Sequence, residues 1–554
     1  MVKVRIGFVA LWEIICLWLP LNCRADYHQQ QFVRVAISDN QFKEFAYDEI
    51  EIIGTGEFSL FKGNTSVPLA RVARNQSAKI KLTNGNFTIT VVGGNKCLKN
   101  VRENISIKCS SGFLGVKNLH RHSKQALYRG SFEITKAKNG QFFLINVVAL
   151  EDYLKSVVPN EMPTKFGIEA LKAQAIVARN YAITPRIKEF KEFDLYDSIA
   201  SQVYFGTNTE HPISNQAVKE TEGIVLLHGL NPILALYFST SCGHTENYEN
   251  AFVDPKTNAF PGSPLPYLKG KPDNPKIGDL RDEDTARKFF KSHPKLLDGE
   301  SKYFRWQKEW NAQELKKILK TSLVEQKASG FVDGFSFNPK DLGDIQRIDV
   351  KRRGVSGQIM ELVIVTTAQK ISVKKELVIR RVFKKDGTAL PSANCVFEHL
   401  VDQNGKLTKI VAHGGGFGHA VGMSQYGAGF MATRLNRSFD QILKWYYHNI
   451  SIATIPVILS ADNPHHVVTQ GFYITKKVAA LVIDNKFNIP ALQVTINGKR
   501  LNLNLANPLP NSSTHRIDIA QYVKSGKNTI SFHAPSGAHG GKSIKLYVEI
   551  SKSE

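Results

Sequence analysis

Cysteine is scarce in this chain, six in 554 residues, and no two form a C-x-x-C pair. That excludes a disulfide-stapled scaffold and a paired-cysteine zinc module. Acidic residues are the second shortage. Asp and Glu number 49 against 72 Lys and Arg, a formal net charge of +23. Beyond the N-terminus no stretch offers eighteen uninterrupted apolar positions, so the mature chain is not expected to span a membrane. No internal repeat or low-complexity tract is present, and at 554 residues the chain is too long for a single hydrophobic core.

What is present begins with an export signature. Lys3 and Arg5 precede an apolar run from Ile6 to Leu21, broken only by Glu13, and Ala25 offers a small residue before Asp26. This is the layout of a secretory signal over residues 1–25. Pro20-Leu21-Asn22 ahead of Cys23 make a poor lipobox. Export removes nucleic acid as the partner of the positive charge and leaves envelope polymers or lipid surfaces. In an oxidising compartment Cys97 and Cys109 are able to bridge.

Alternating apolar and polar residues mark residues 26–148 as β-rich, in "FVRVAIS", "AKIKLT", "FTITVVGG" and "ISIKCS", with Asn-Gly turns at 84–85 and 139–140. Helical periodicity starts at "ALEDYLKSVV" and returns in "GIEALKAQAIVARNYAI", where Ile168, Leu171, Ala175, Ala178 and Ala182 form one stripe. Residues 280–325 read as mostly helical, and "IQRIDVKRR", "IMELVIVTT" and "KKELVIRRVF" as strands. "HGGGFGHAVGMSQYGAGFMA" (413–432) is a glycine-dense turn running into a helix. From 458 to 554 short strands between turn residues suggest a β-sandwich with the look of a galactose-binding-like jelly roll. The fold class expected is α+β.

The glycine-dense stretch is neither a phosphate loop, lacking Lys-Ser/Thr after its last glycine, nor a dinucleotide fingerprint, whose spacing Gly416, Gly418 and Gly422 do not keep. Its glycines allow close approach of backbone to a ligand. One other feature calls for an explanation: Glu161, a single carboxylate between Pro159 and Pro163, directly ahead of an alanine-rich helix carrying Lys172 and Arg179.

Together "LEDYLKSVVPNEMP", "EALKAQAIVARNYAI", "SQVYFG", "YFSTSCGHTEN", "LPYL" and "GHAVGMSQYGAGFMA" resemble, in order, the successive blocks of the stage II sporulation protein D family (SpoIID/LytB). The resemblance covers about residues 32–455, with 149–457 as its catalytic region, and leaves the tail outside. It implies a lytic transglycosylase acting on peptidoglycan glycan strands, stripped of their stem peptides for some members. It places the acid/base glutamate at Glu161. It also draws Lys172, Arg179, Gln202, Tyr204, Ser239, Ser241, His419, Ser424, Gln425 and Tyr426 toward the substrate. Val157, Val158, Met162 and Phe166 are candidate walls to bury Glu161 and raise its pKa.

A lone carboxylate fits this chemistry. Hydrolysing glycosidases usually need two, whereas a lytic transglycosylase uses the sugar's own C6 hydroxyl as nucleophile. Muramic acid exposes a lactyl carboxylate once its peptide is removed, and Arg179 with Lys172 would hold it. Cys242-Gly243-His244, with His413, His419 or Cys395, is a weak zinc pattern. Cys242 reads as a buried inert thiol, and neither a metal nor another cofactor is expected. The expected product is a 1,6-anhydro-MurNAc end, made by an exported enzyme of the periplasm or cell envelope acting after a cell-wall amidase. The alternative is a non-catalytic peptidoglycan-binding protein that recruits or stimulates an N-acetylmuramoyl-L-alanine amidase. Were hydrolysis the reaction, Glu169 and Glu246 would be the first suspects for the second carboxylate.

Overall fold

Local chemistry sets the strands, and the first clear case is the hairpin at Asn84-Gly85. Both turn residues have positive φ, +50° and +75°, the geometry that matches the twist of two antiparallel strands. Ser77–Thr83 and Asn86–Val92 pair across it, with buried and exposed positions alternating. The computed structural model describes residues 31–184, 191–334, 342–460, 467–474, 479–485, 489, 491–505, 513–533 and 543–552. The expected signal (1–25) lies outside the described residues.

The fold is α+β. The described chain divides into two compact units, one formed by Leu19–Leu234 with Ser451–Lys552 and the other by Ala235–Ile450. The first, split unit contains a sheet ordered Leu195–Tyr196, Phe32–Ala36, Phe142–Ala149, Ser131–Lys136, Ile105–Cys109, Phe58–Lys62 and Pro68–Val72. The strands flanking Asn139-Gly140 pair from Lys136↔Phe142 onward, so the connection is a five-residue loop with Gly140 at φ +81°. A second, six-stranded sheet holds the Asn84-Gly85 hairpin.

Three helices follow: α1 (Leu150–Glu161), α2 (Ile168–Ile183) and α3 (Pro212–Glu220). Helix α2 is buried on nearly every side from Ala170 to Asn180. The single apolar stripe read from the sequence therefore understates its burial. After α3, Ile224–His228 pairs with Ser451–Thr454, which pairs with Ser543–Lys552, which pairs with Ala480–Asp484. The C-terminal strands thus share a sheet with residues that follow α3.

The continuous unit is built on a three-stranded sheet of Trp306–Asn311, Leu407–Gly414 and Cys395–Val401 and a four-stranded sheet containing Ile345–Arg353 and Ile359–Thr366. Its core includes Trp310, Leu319, Ile364, Phe383 and Phe397. Residues 280–325 carry two helices, Glu283–Lys291 and Ala312–Gln326, with a strand before the second. "KKELVIRRVF" corrects a sequence expectation, because Glu376–Val382 is a helix and not a strand. Glu376 in its first turn and Arg380-Arg381 in its last suit the helix dipole, and the buried positions 378, 379 and 382 fit a helical spacing.

Candidate active site

Glu161 is the last residue of α1, two residues after Pro159. Proline supplies no N–H and cannot continue the ladder, so the helix stops, Met162 closing it with an N–H donated to the Val158 carbonyl at 3.0 Å. A short turn over Thr164–Phe166 follows, then Gly167 at φ +85° launches α2. A side chain at 167 would be strained in that conformation. The four flanking apolar residues, Val157, Val158, Met162 and Phe166, are all buried.

The segment carrying Gln202 and Tyr204 is laced along α1. The Val203 N–H donates to Glu161 Oε1 at 2.8 Å, the Phe205 N–H to Ser156 Oγ at 3.1 Å, and Asn160 Nδ2 to Thr209 Oγ1 at 2.7 Å. Gln202 and Tyr204 on either side of Val203 are buried. The Tyr153 hydroxyl donates to Gln202 Oε1 at 3.1 Å, and the Tyr204 hydroxyl donates to Asn146 Oδ1 at 2.7 Å. Both are therefore supports for the backbone that touches Glu161. Burial pushes the Glu161 carboxyl up to about 7, with the Val203 amide pulling the other way. A carboxyl in that range holds a proton near neutral pH and can give it up, which is what a general acid requires.

Lys172 and Arg179, expected at the substrate, are both engaged in ion pairs within the protein. Lys172 is 6% exposed and pairs with Glu169 and with Glu220 of α3, each at 2.8 Å. Burial opposes its charge, but the two carboxylates hold its pKa above the ordinary value. Arg179 is fully buried. Its guanidinium donates through Nε and Nη2 to the two oxygens of Glu151 at 2.8 and 2.7 Å, and through Nη1 to the Ile224 carbonyl at 2.9 Å. The pair stitches α1, α2 and α3 together.

The expected residues of the continuous unit gather around a carboxylate that sequence reasoning missed. Asp298 accepts hydrogen bonds from the Ser241 N–H at 2.6 Å, from the Ser241 hydroxyl, and from Ser424 Oγ at 2.8 Å. Ser424 also caps the helix Gln425–Thr433, accepting from the Gly427 N–H. Tyr426 donates its N–H to the Ser239 carbonyl at 3.1 Å, and Gln425 is buried at the helix start. Burial raises the pKa of both Asp298 and its neighbour Asp273. With these donors the charge belongs on Asp298 and the proton on Asp273. Asp273 borders a cavity of about 630 Å³ that none of the expected site residues lines. The one sequence signal for Asp298 was the Asp298-Gly299 dipeptide, a turn former inside a stretch taken as helical.

His419 stands apart from that cluster, its ring between Phe238 and Phe252 with centroids 5.4 and 5.2 Å away. Burial pushes its pKa down to about 3, so it is neutral, and Nδ1 accepts the Val421 N–H at 3.1 Å. Cys242 is buried with its thiol pushed up to about 12, and His244 Nδ1 lies 2.6 Å from the Thr245 carbonyl. Among the described residues no group of three or more His, Cys, Asp or Glu is placed to hold a metal. Cys97 and Cys109 are unpaired and lie in different sheets, so they do not bridge.

Comparison with known proteins bears first on the α1–α2 region. Residues 138–228 match the family described as stage II sporulation protein (SpoIID), and residues 254–422 match a domain of unknown function (DUF8618). The molecule is thus an α+β protein carrying a SpoIID-type domain around Glu161. Over more than half of its length the chain is similar to stage II sporulation protein D. It is 29% identical to stage II sporulation protein D of Bacillus subtilis (strain 168) over 329 residues, covering 56% of this chain and 77% of that one. It is 28% identical to the amidase enhancer of the same organism over 314 residues, 54% of this chain and 40% of that protein. An uncharacterized protein of Brachyspira hyodysenteriae is 27% identical over 57% of this chain and 69% of its own.

Proposed function

We propose that the protein is a peptidoglycan lytic transglycosylase that cleaves the MurNAc–GlcNAc bond with Glu161 as acid and then base. The observation that carries this reading is one half-buried carboxyl, with its pKa near 7, inside the family-matched region. Protonated Glu161 gives its proton to the glycosidic oxygen as the C1–O bond breaks and GlcNAc leaves. The C6 hydroxyl of the same muramyl ring then attacks C1, and the Glu161 carboxylate takes the hydroxyl proton. A 1,6-anhydro ring closes, no water is consumed, and the enzyme returns to its starting protonation state.

The alternatives for a second carboxylate are occupied. Glu246 accepts from the N–H groups of Asn247, Val355 and Ser356, from Asn250 Nδ2 and from Ser356 Oγ. Glu169 is paired with Lys172. The +23 charge suits a peptide-free glycan, whose lactyl carboxylates make it a polyanion. An exported protein of the cell envelope, working after an amidase, follows from this substrate and from the N-terminal segment. The second reading, a glycan-binding protein that stimulates an amidase, is favoured by the likeness to the amidase enhancer.

The test uses purified protein and Glu161→Gln on intact and on amidase-treated peptidoglycan, with mass spectrometry of soluble products. Anhydro-muramyl ends from the parent and none from the variant are expected. Binding without cleavage by either would leave the enhancer reading. Reducing ends would mean hydrolysis.

A further inference from the structure

With Lys172 and Arg179 committed to internal ion pairs, the lactyl carboxylate of a peptide-free glycan needs another reader. The continuous unit carries a cation with no ion pair among the described residues, Lys302, beside a pair of aromatic rings. Phe417, in the glycine-dense loop, is 38% exposed. Its ring packs against Tyr303 with centroids 4.4 Å apart and planes 35° from parallel, and Lys302 Nζ lies 5.0 Å from the Tyr303 ring centre. A single exposed hydrophobic residue on a surface is ordinary. This one differs in how firmly it is held.

The Phe417 N–H donates to the Thr240 carbonyl at 2.9 Å and the Thr240 N–H returns a bond to the Phe417 carbonyl at 3.2 Å. On either side the Gly416 N–H reaches the Tyr303 carbonyl at 2.7 Å and the Gly418 N–H the Pro391 carbonyl at 3.0 Å. Trp306 Nε1 donates to the Gly416 carbonyl at 3.1 Å. Both glycines have positive φ, and a Cβ would stand 2.8 Å from the Thr240 carbonyl oxygen at 416 and 2.9 Å from Phe238 Cβ at 418. The backbone is pinned while the apolar ring is left facing water. That is preorganised contact area, with little conformational freedom to lose on binding.

We propose that Phe417, Tyr303 and Lys302 form a binding subsite for an N-acetylated sugar unit bearing a free carboxylate. The rings take the C–H face of the pyranose and its acetyl methyl, and the Lys302 ammonium takes the carboxylate. The subsite rests on the glycan reading given above but not on Glu161.

Equilibrium binding of the full chain, in a Glu161→Gln background to prevent turnover, tests it against peptide-free glycan strands and against GlcNAc oligomers lacking lactyl groups. Phe417→Ala should weaken both ligands roughly tenfold with an unchanged melting temperature. Lys302→Ala should weaken only the carboxylate-bearing strands and flatten their salt dependence. Equal binding by parent and both variants overturns the subsite, as does failure of the parent to bind either glycan. Cleavage that survives Glu161→Gln would sink the catalytic reading while leaving this binding contrast standing.

Discussion

Glu161 in the split unit and Glu246 and Asp298 in the continuous unit are three carboxylates with raised pKa values, and burial is the first cause for each. They differ in what meets their oxygens. Glu246 accepts hydrogen bonds from five donors, and Asp298 binds two of the three serines that the motifs had singled out, Ser241 and Ser424. Glu161 accepts one, from the Val203 amide. A buried carboxylate saturated with donors is a tie that holds loops together, since removing it strands every donor. One left almost unmet keeps its proton close to neutral pH and has an oxygen available for chemistry. Burial and a raised pKa alone do not separate the two classes; counting donors does.

The contrast breaks most visibly at Glu161→Gln. Glycan cleavage should fall by roughly a thousandfold, the upper part of the range for general acids, with the circular dichroism spectrum unchanged. Retained cleavage would dissolve the distinction. Next in size is Arg179→Ala, which leaves Glu151 without its bidentate partner. It should cost about 3 kcal/mol in denaturant unfolding. A normal melting curve with a raised KM would instead restore Arg179 as a substrate clamp. Asp298→Ala should cost about 2 kcal/mol, from hydroxyls and an amide left unpaired, and any loss of activity should track the loss of fold.

The smallest expected effect sharpens the comparison by pH. Glu161 has its folded pKa raised from 4.5 to about 7. Its contribution to stability is therefore fully present below pH 4.5 and is lost as pH rises through 7. Relative to the parent, Glu161→Gln should gain stability between pH 4.5 and pH 8, measured by urea unfolding at both values, because the parent loses its protonated-carboxyl contribution over that window. Cleavage by the parent should drop about tenfold per unit above pH 7, because the first step uses the protonated acid. No gain in the variant and a flat rate profile would mean the carboxyl is solvated.

Much of this was legible in the sequence, for physical reasons. The turn chemistry of Asn84-Gly85, the stop at Pro159 and the position of Glu161 are local features, and local rules reach them. The ion pairs of Lys172 and Arg179 were not legible, because spacing along a helix says which face a cation occupies and not which carboxylate waits there. Glu151 and Glu220 come from other helices. Asp298 escaped for the same reason, being tied to Ser241 and Ser424 through space rather than sequence. Residues 376–382 were read as strand because a short apolar run carries both periods at once.

The return of the C-terminal strands to the sheet at Ile224–His228 has a consequence for the order of events in biogenesis. Ile224 cannot find Thr454, nor Ala480 its partner Glu549, until nearly the whole chain has been made. Ala235–Ile450, uninterrupted in sequence, is free to fold as it emerges, while its split neighbour must wait with unpaired strand edges. Pairings of such long separation are slow and prone to aggregation. The last strand to arrive is the one that lets the unit around Glu161 close.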